Sequence, residues 1–504
     1  MPSGLPQHRI VAVVGAGTMG AGIAQVAASA GHAVLLFDTR PGAAQSAVEG
    51  IRAQFARLAA KGKLGEAEAQ AAGARIAPAA TLAELAPTGL VVEAIVEDLA
   101  AKQALFRALE SIVAPDCLFG TNTSSISVTA IGAALARPDR LAGLHFFNPA
   151  PLMALVEIVS GLATAPAVAA TLYETAAAWG KAPVHARSTP GFIVNRVARP
   201  FYGEALRLLA EGAADCATLD AVLRGAGGFR MGPFELMDLI GHDVNFAVTK
   251  SVWEAFFHDP RFLPSLRQQE MVAAGFLGRK SGRGFHDYRE GAVPPAPSFA
   301  APCAAPQTFA LHGDSPAAQA LAARLQLPST VAHADGRIAT AGAAALFVTD
   351  GRTATRRAAE SGLAATVLLD LALDYGTAEV LAIACADQCS AAAAADAAGL
   401  LQAAGLAVAR LDDVPGLAVM RTVAMLANEA ADAVNQGVCS ATGADAAMRL
   451  GVNYPRGPLA WADAIGIDKI VAVLRHLGES YGEDRYRISP LLLRRHFSGR
   501  AFHD

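Results

Sequence analysis

Charged residues are scarce in this 504-residue chain. Asp, Glu, Lys and Arg make up 17% of it, against 53% hydrophobic residues. That balance excludes an intrinsically disordered protein and supplies enough apolar surface for large packed cores. Neither sign of charge dominates, with a formal net charge of −4, so nothing in the overall balance draws the chain to nucleic acid. Only six cysteines occur, at 117, 216, 303, 385, 389 and 439. None forms a C-x-x-C pair or a zinc-finger spacing, and Cys385 and Cys389 are four apart. They read as scattered thiols in a reducing compartment, and no metal site is expected. The opening MPSGLPQHRI lacks the apolar core of a signal peptide. The apolar stretches elsewhere are broken by charge or glycine before they reach bilayer length. A soluble, cytoplasmic protein without membrane partners is expected.

At roughly 100–200 residues per domain, this length implies several domains. RIVAVV (9–14), AVLLFD (33–38), GLVVEAIVED (89–98) and CLFGTN (117–122) read as strands. A small-residue helix follows the first, a charged helical stretch spans about 41–72, and AKQALFRALESIV lies between the last two. Such alternation predicts a doubly wound, Rossmann-type parallel sheet covered on both faces. From about 187 helical patterns replace strands. GAVPPAPSFAAPCAAP (291–306) is Pro/Ala-rich and is the best linker candidate. Weak strand signals return in TVLLDLAL and AEVLAIAC, and a second helical block starts near 415. Residues 190–241 and 415–466, set against each other at a constant offset of 225, share 15 identities in 52 positions. Pro190-Gly191 meets Pro415-Gly416, Arg196 meets Arg421, and Gly232-Pro233 meets Gly457-Pro458. An internal duplication of a helical domain is the reading. The expected domains are 1–186 (dinucleotide-binding α/β), 187–290 (helical), 291–310 (linker), 311–412 (degenerate Rossmann-like) and 413–504 (second helical copy).

GAGTMG (15–20) is a G-x-G-x-x-G that follows a strand and opens a helix. Gly15 permits the tight turn, Gly17 lets backbone approach a pyrophosphate, and Gly20 lets the helix pack on the sheet. Thr18 and Met19 open the helix, whose N-terminus faces the anion. Asp38 ends the next strand, 18 residues after Gly20. An acid there accepts from a ribose 2′-OH and repels a 2′-phosphate, which favours NAD over NADP, although Arg40 stands nearby. The same turn also occurs in domains that bind FAD or no nucleotide at all.

LHFFNPAPLMALVEIV (144–159) holds two polar residues at odds with their surroundings, His145 and the mid-strand Glu157. A carboxylate inside an apolar strand is costly unless paired, and a histidine–carboxylate pair is a general-base arrangement. Each residue also has a bland reading, as a satisfied core histidine and an edge-strand acid. TNTSSIS (121–127) offers hydroxyls and an amide after a strand, and TPGFIVNR (189–196) opens the helical region with Asn195. These read equally as a polar turn and a helix cap.

FGTNTSSIS, LHFFNPAPLMALVEIV and TPGFIVNR, in that order after GAGTMG, resemble the L-3-hydroxyacyl-CoA dehydrogenases of β-oxidation. The resemblance covers residues 9–288, down to GRKSGRGFHDY. It implies NAD-dependent oxidation of an (S)-3-hydroxyacyl-CoA thioester, with His145 as general base and Glu157 as its orienting partner. It also implies that Ser124 and Asn195 hydrogen-bond the reacting end of the substrate. Glu97 and Lys102 are expected near the nicotinamide side of NAD, Asn122 as a further cofactor-binding residue, and Lys61 and Lys63 as contacts for CoA phosphates or as plain solvated lysines. Imidazole titrates near neutral pH and can take the hydroxyl proton, and the hydride goes to the cofactor, so no metal is required.

The two-repeat layout resembles the 3-hydroxyadipyl-CoA dehydrogenases of bacterial phenylacetate degradation. A 3-hydroxybutyryl-CoA or general fatty-acid 3-hydroxyacyl-CoA dehydrogenase is the alternative enzyme, and a non-catalytic nucleotide-binding protein the alternative of another class. Met420 stands where the first copy has Asn195, and 311–412 contains neither a G-x-G-x-x-G nor an LHFFNP. The second half is therefore expected to be catalytically silent and to serve as an internal partner for the first helical domain, in a pseudo-dimer that could itself dimerise.

Overall fold

The computed structural model describes residues 3–328 and 331–504. It divides into two compact units. One is the chain up to Arg196 together with Gln436–Val452, and the other is Val197–Asn435 with Asn453–Asp504.

The first unit is built on eight strands: β1 (Ile10–Val14), β2 (Val34–Phe37), β3 (Ile76–Pro78), β4 (Thr88–Glu93), β5 (Leu118–Thr121), β6 (Leu141–Phe146), β7 (Leu155–Ser160) and β8 (Ala182–Arg187). Their order is β3-β2-β1-β4-β5-β6-β7-β8. The central strands carry branched apolar residues that are buried on both faces, as strands covered by helices must be. The sheet is not wholly parallel as expected, because β6 and β7 pair antiparallel. Only residues 147–154 connect them, too few for the crossover that a parallel pair requires. The charged stretch 41–72 is two helices, Ala43–Ala60 and Glu66–Ala74, parted by a turn in which Gly62 takes a φ of 66°. The strand read at 89–98 ends at Glu93.

The second unit holds a smaller sheet: β9 (Phe309–Leu311), β10 (Ala339–Ala341), β11 (Ala344–Val348), β12 (Thr366–Leu369), β13 (Val380–Cys385) and β14 (Ala407–Arg410). It is mixed, with β11–β12 and β13–β14 parallel and the other pairs antiparallel. The Pro/Ala-rich segment 291–306 is not a free tether throughout. Ala300 N–H donates to Val408 O, Phe299 bridges to Ala409, and Ser298 N–H donates to Thr218 Oγ1.

The helical duplication is explicit. Helices Cys216–Gly225, Pro233–Ile240 and His242–Ala255 recur as Ala441–Gly451, Pro458–Ile465 and Ile467–Tyr481. Each start is displaced by 225 residues (216 to 441, 233 to 458, 242 to 467). The copies exchange helices. Cys216–Gly225, from the first copy, packs on β13 of the second sheet, and Ala441–Gly451, from the second copy, packs on β7 and β8 of the first sheet. Backbone bonding reinforces the latter, since Arg187 N–H donates to Val438 O at 2.9 Å.

Within the second unit, Arg199–Ala210 packs against Val419–Asn435, the corresponding helix of the other copy. Glu204, fully buried, accepts from Arg421 Nε at 2.7 Å and Arg485 Nε at 3.1 Å. Burial works to raise its pKa, but the two guanidinium groups outweigh it and hold the carboxyl at about 2. Arg421 also reaches Glu211, and in the first unit Arg196 reaches Gln436. The members of these two pairs are again related by 225 (196 to 421, 211 to 436). Among the described residues no helix is long and apolar enough to cross a membrane, and no cluster of three metal-ligating side chains occurs.

Candidate active site

The glycines of the first turn are there for space. Gly15 has a φ of +106°, and a Cβ on it would lie 2.4 Å from Ala94 O. A Cβ on Gly20 would lie 1.7 Å from Gly15 O, so any side chain would push helix Thr18–Ser29 off the turn. Around a Cβ on Gly17 there is no atom within 4 Å. That open ground lies at the N-cap of the helix, which no side chain caps. The leading N–H groups, with Thr18 and Met19 in the first turn, are thus left for an anion. A cavity of about 680 Å³ adjoins the turn, lined by Gly15, Gly17, Asp38, Arg40, Ile95 and Val96 among others. A dinucleotide fits this arrangement of turn, helix end and acid.

Asp38 is held by its neighbours. Its Oδ2 accepts from Ala16 N–H at 2.8 Å, and its Oδ1 from Arg40 N–H at 2.9 Å and Arg40 Nε at 3.1 Å. Burial pushes its pKa up, but the Arg40 side chain and these N–H groups prevail and set it at about 2. It is an anion throughout the neutral range.

The loop after β5 is organised by acids that sequence reading only partly found. Glu97 accepts from Thr123 Oγ1 at 2.7 Å, Ser124 N–H at 2.9 Å and Ser125 N–H at 3.0 Å. Burial raises its pKa, and the Thr123 bond and the Lys102 charge more than reverse that. Lys102 is buried rather than open to a ligand. Its ammonium lies 2.6 Å from Glu93 and 3.3 Å from Glu97. Glu93, fully buried, also accepts from Thr121 Oγ1 at 2.6 Å. It was not singled out in the sequence, although an acid in the apolar run GLVVEAIVED was the available signal. Asn122 uses its side-chain oxygen to accept Phe146 N–H at 2.8 Å, which leaves its amide N–H₂ to face other groups. Lys61 and Lys63 lie in the exposed turn after helix Ala43–Ala60 and make no ion pair among the described residues.

Antiparallel pairing places His145 on β6 opposite Glu157 on β7. His145 Nδ1 and Glu157 Oε2 are 2.7 Å apart, and both residues are buried. The other carboxylate oxygen accepts from Ile193 N–H at 3.1 Å and Val194 N–H at 3.0 Å. Asn195 is the next residue along, in the short helix Val194–Val197. One carboxylate therefore orients the imidazole and fixes the segment that carries Asn195. His145 Nε2 is left without a protein partner among the described residues. Two aromatic walls were missed in the sequence: the rings of Phe147 and Phe192 lie 4.6 and 5.8 Å from the imidazole.

The offset of 225 runs through the sheets as well. It carries His145 to 370 and Glu157 to 382, which are Asp and Ala. Asp370 N–H donates to Ala382 O, the same facing positions on an antiparallel pair. Asp370 accepts from the N–H groups of Ala418, Val419 and Met420, the counterparts of Ile193, Val194 and Asn195. The carboxylate has moved to the other strand, keeps the bonds to the helical segment, and has no imidazole beside it. Burial raises its pKa to about 6 against the pull of those donors.

A phosphate-binding turn, a ribose-type acid and an imidazole–carboxylate pair in one unit define an NAD-dependent oxidoreductase. The comparisons with known proteins give its family. The NAD-binding domain of 3-hydroxyacyl-CoA dehydrogenase matches residues 10–189, and the C-terminal domain of that family matches twice, at 191–288 and 416–501. The reduced Rossmann-fold domain of 3-hydroxybutyryl-CoA dehydrogenase matches 346–415. The chain belongs to the 3-hydroxyacyl-CoA dehydrogenases. It is 46% identical over 485 residues to the 3-hydroxyadipyl-CoA dehydrogenase of Escherichia coli K12, covering 96% of this chain and 97% of that one. A crystal structure described as 3-hydroxybutyryl-CoA dehydrogenase from Escherichia coli K12 superposes with a TM-score of 0.90 at 45% identity, over 98% of this chain and all of that one. The mitochondrial hydroxyacyl-coenzyme A dehydrogenase of Sus scrofa is 39% identical over 285 residues, which is 55% of this chain and 91% of that one.

Proposed function

We propose that this NAD-dependent 3-hydroxyacyl-CoA dehydrogenase oxidises (S)-3-hydroxyadipyl-CoA to 3-oxoadipyl-CoA in the cytoplasmic breakdown of phenylacetate, with His145 as the general base. The 2.7 Å contact between His145 and Glu157 carries the mechanism. The Glu157 carboxylate accepts the hydrogen bond from Nδ1–H, so Nε2 presents its lone pair to the hydroxyl on C3. As that proton is taken, the buried Glu157 carboxylate offsets the charge of the imidazolium. NAD, which the Gly15–Gly20 turn and Asp38 would hold, would supply the acceptor for the hydride of C3. Ser124 and Asn195 hold the oxygen of the reacting carbon, and Glu97 keeps the Ser124 segment in place. In the reverse direction protonated His145 is the acid.

The relative that matches nearly the whole length supports the dicarboxylic substrate by its name, and the superposing crystal structure supports the butyryl reading by its description. NADH oxidation with 3-oxoadipyl-CoA and acetoacetyl-CoA separates the two. A higher kcat/KM for 3-oxoadipyl-CoA is expected. The opposite ratio would move the assignment to 3-hydroxybutyryl-CoA, and no turnover of either thioester would remove the proposed substrate and base together.

Asp38→Ala tests the cofactor reading. Loss of a charged acceptor for a ribose hydroxyl costs about 1.5–3 kcal/mol. The KM for NADH should rise roughly 10- to 100-fold with kcat little changed, and discrimination against NADPH should weaken. An unchanged KM would show that the ribose lies elsewhere.

A further inference from the structure

The second half lacks the dyad, yet it has not closed up. A cavity of about 870 Å³ opens within the second unit, at the size range of roughly 300–1,000 Å³ typical of small-molecule sites. Its lining includes the buried apolar side chains of Met420, Trp461, Val473 and Ile338. Met420 occupies the place that Asn195 holds in the first copy (195 to 420).

The lining differs from the first copy in charge. Arg456 and Lys469 line the cavity and make no ion pair or side-chain hydrogen bond among the described residues. At the same offset the first copy has Met231 and Val244. Two cations thus stand at the lining of a partly apolar cavity, neither of them in an ion pair among the described residues. The acids present are already engaged. Asp350 is bound by Arg352 and Arg357, and Asp374 accepts from Gly376 N–H and Thr377 Oγ1. Asp370, beneath Met420, is occupied by backbone donors and offers no base.

We propose that this cavity is a second, non-catalytic binding site that takes a short or medium apolar chain ending in an anionic group. The chain lies on Met420 and Trp461, and the anion meets Arg456 and Lys469. A carboxylate at the end of an acyl chain and a CoA phosphate share that chemistry. No glycine turn of the first-half kind occurs in 311–412, so a dinucleotide is not the ligand.

Calorimetric titration of the full-length protein tests the site, with hexanoate, adipate, CoA and hexanoyl-CoA as probes. The comparison protein carries Arg456→Glu and Lys469→Glu together. Neither residue touches the proposed dyad, so its kcat/KM for acetoacetyl-CoA should match wild type, which also shows that it folds. Wild type should bind at least one probe in a saturable step that the double variant weakens tenfold or more. Ala464→Phe, which fills the exposed mouth of the cavity, should weaken the same step. Binding of hexanoate and adipate assigns the anion to a carboxylate, and binding of the CoA probes alone assigns it to phosphate. No saturable step beyond the catalytic site, or a step unchanged by the charge reversals, would overturn the proposal and leave the dehydrogenase assignment standing.

Discussion

His145→Ala is expected to lower kcat/KM for NADH-dependent reduction of a 3-oxoacyl-CoA by about 10²- to 10⁴-fold, the usual contribution of a positioned proton donor. The KM for NADH should barely move, because the dinucleotide turn lies on other strands. Glu157→Gln is the more informative companion. The amide can still accept from Ile193 and Val194 N–H, so the segment carrying Asn195 stays in place. The charge beside the imidazolium is lost, and the amide N–H₂ now faces Nδ1 and donates to it, which moves the ring proton to Nε2, so kcat should fall while the thermal midpoint changes little. Glu157→Ala removes the backbone anchor too. It leaves two buried N–H groups unsatisfied, at about 1–3 kcal/mol each, and should lower the midpoint as well. Steady-state kinetics and thermal melts on the three variants read this out. Full activity in His145→Ala would end the general-base assignment, and equal melting of the two Glu157 variants would end the anchoring role.

Cutting the chain after residue 290 is expected to abolish activity in any monomer that results. The first unit would lose the helix Ala441–Gly451, which covers β7 and β8, the former being the strand that carries Glu157. The second unit would lose Arg421 and Arg485, the partners of the buried Glu204, and also Glu429 and Asp432, the partners of the buried Arg261. Breaking one buried pair costs about 3–5 kcal/mol, comparable to the whole stability of many domains. The fragment should aggregate or self-associate, because a second copy can offer the missing helix and Arg196 in the place of Arg421. Sedimentation and NADH oxidation on 1–290 decide the matter. A stable, fully active monomer would show that the second half is not an internal partner.

Much of the candidate site could be read from the chain because its residues violate local rules. A carboxylate amid VEIV and a histidine before two phenylalanines are costly in a strand unless they meet, and they do. GAGTMG was legible because each glycine answers a steric demand within a few residues. Glu93 escaped notice, since the neighbouring Glu97 and Asp98 made acid unremarkable in that run. Lys102 was expected near the nicotinamide side, and what the sequence did not show is that its ammonium is sealed between Glu93 and Glu97. Phe192 was unreadable as a wall of the site, because its position depends on a chain reversal 47 residues after His145 (192 − 145).

The sequence by itself determined the strand–turn–helix that fits a dinucleotide, the two polar residues that had to pair, and the duplication at an offset of 225. Each is set by steric or solvation costs acting over a few residues, or by identity along the chain. Only the tertiary structure decided the antiparallel pairing of β6 and β7, the exchange of Cys216–Gly225 and Ala441–Gly451 between the halves, and the bonding of Asp370 to the N–H groups of Ala418, Val419 and Met420. The helix exchange depends on which apolar faces find each other across long stretches of chain. Packing and charge neutralisation in three dimensions settle that, because the hydrophobic effect has no direction along the chain.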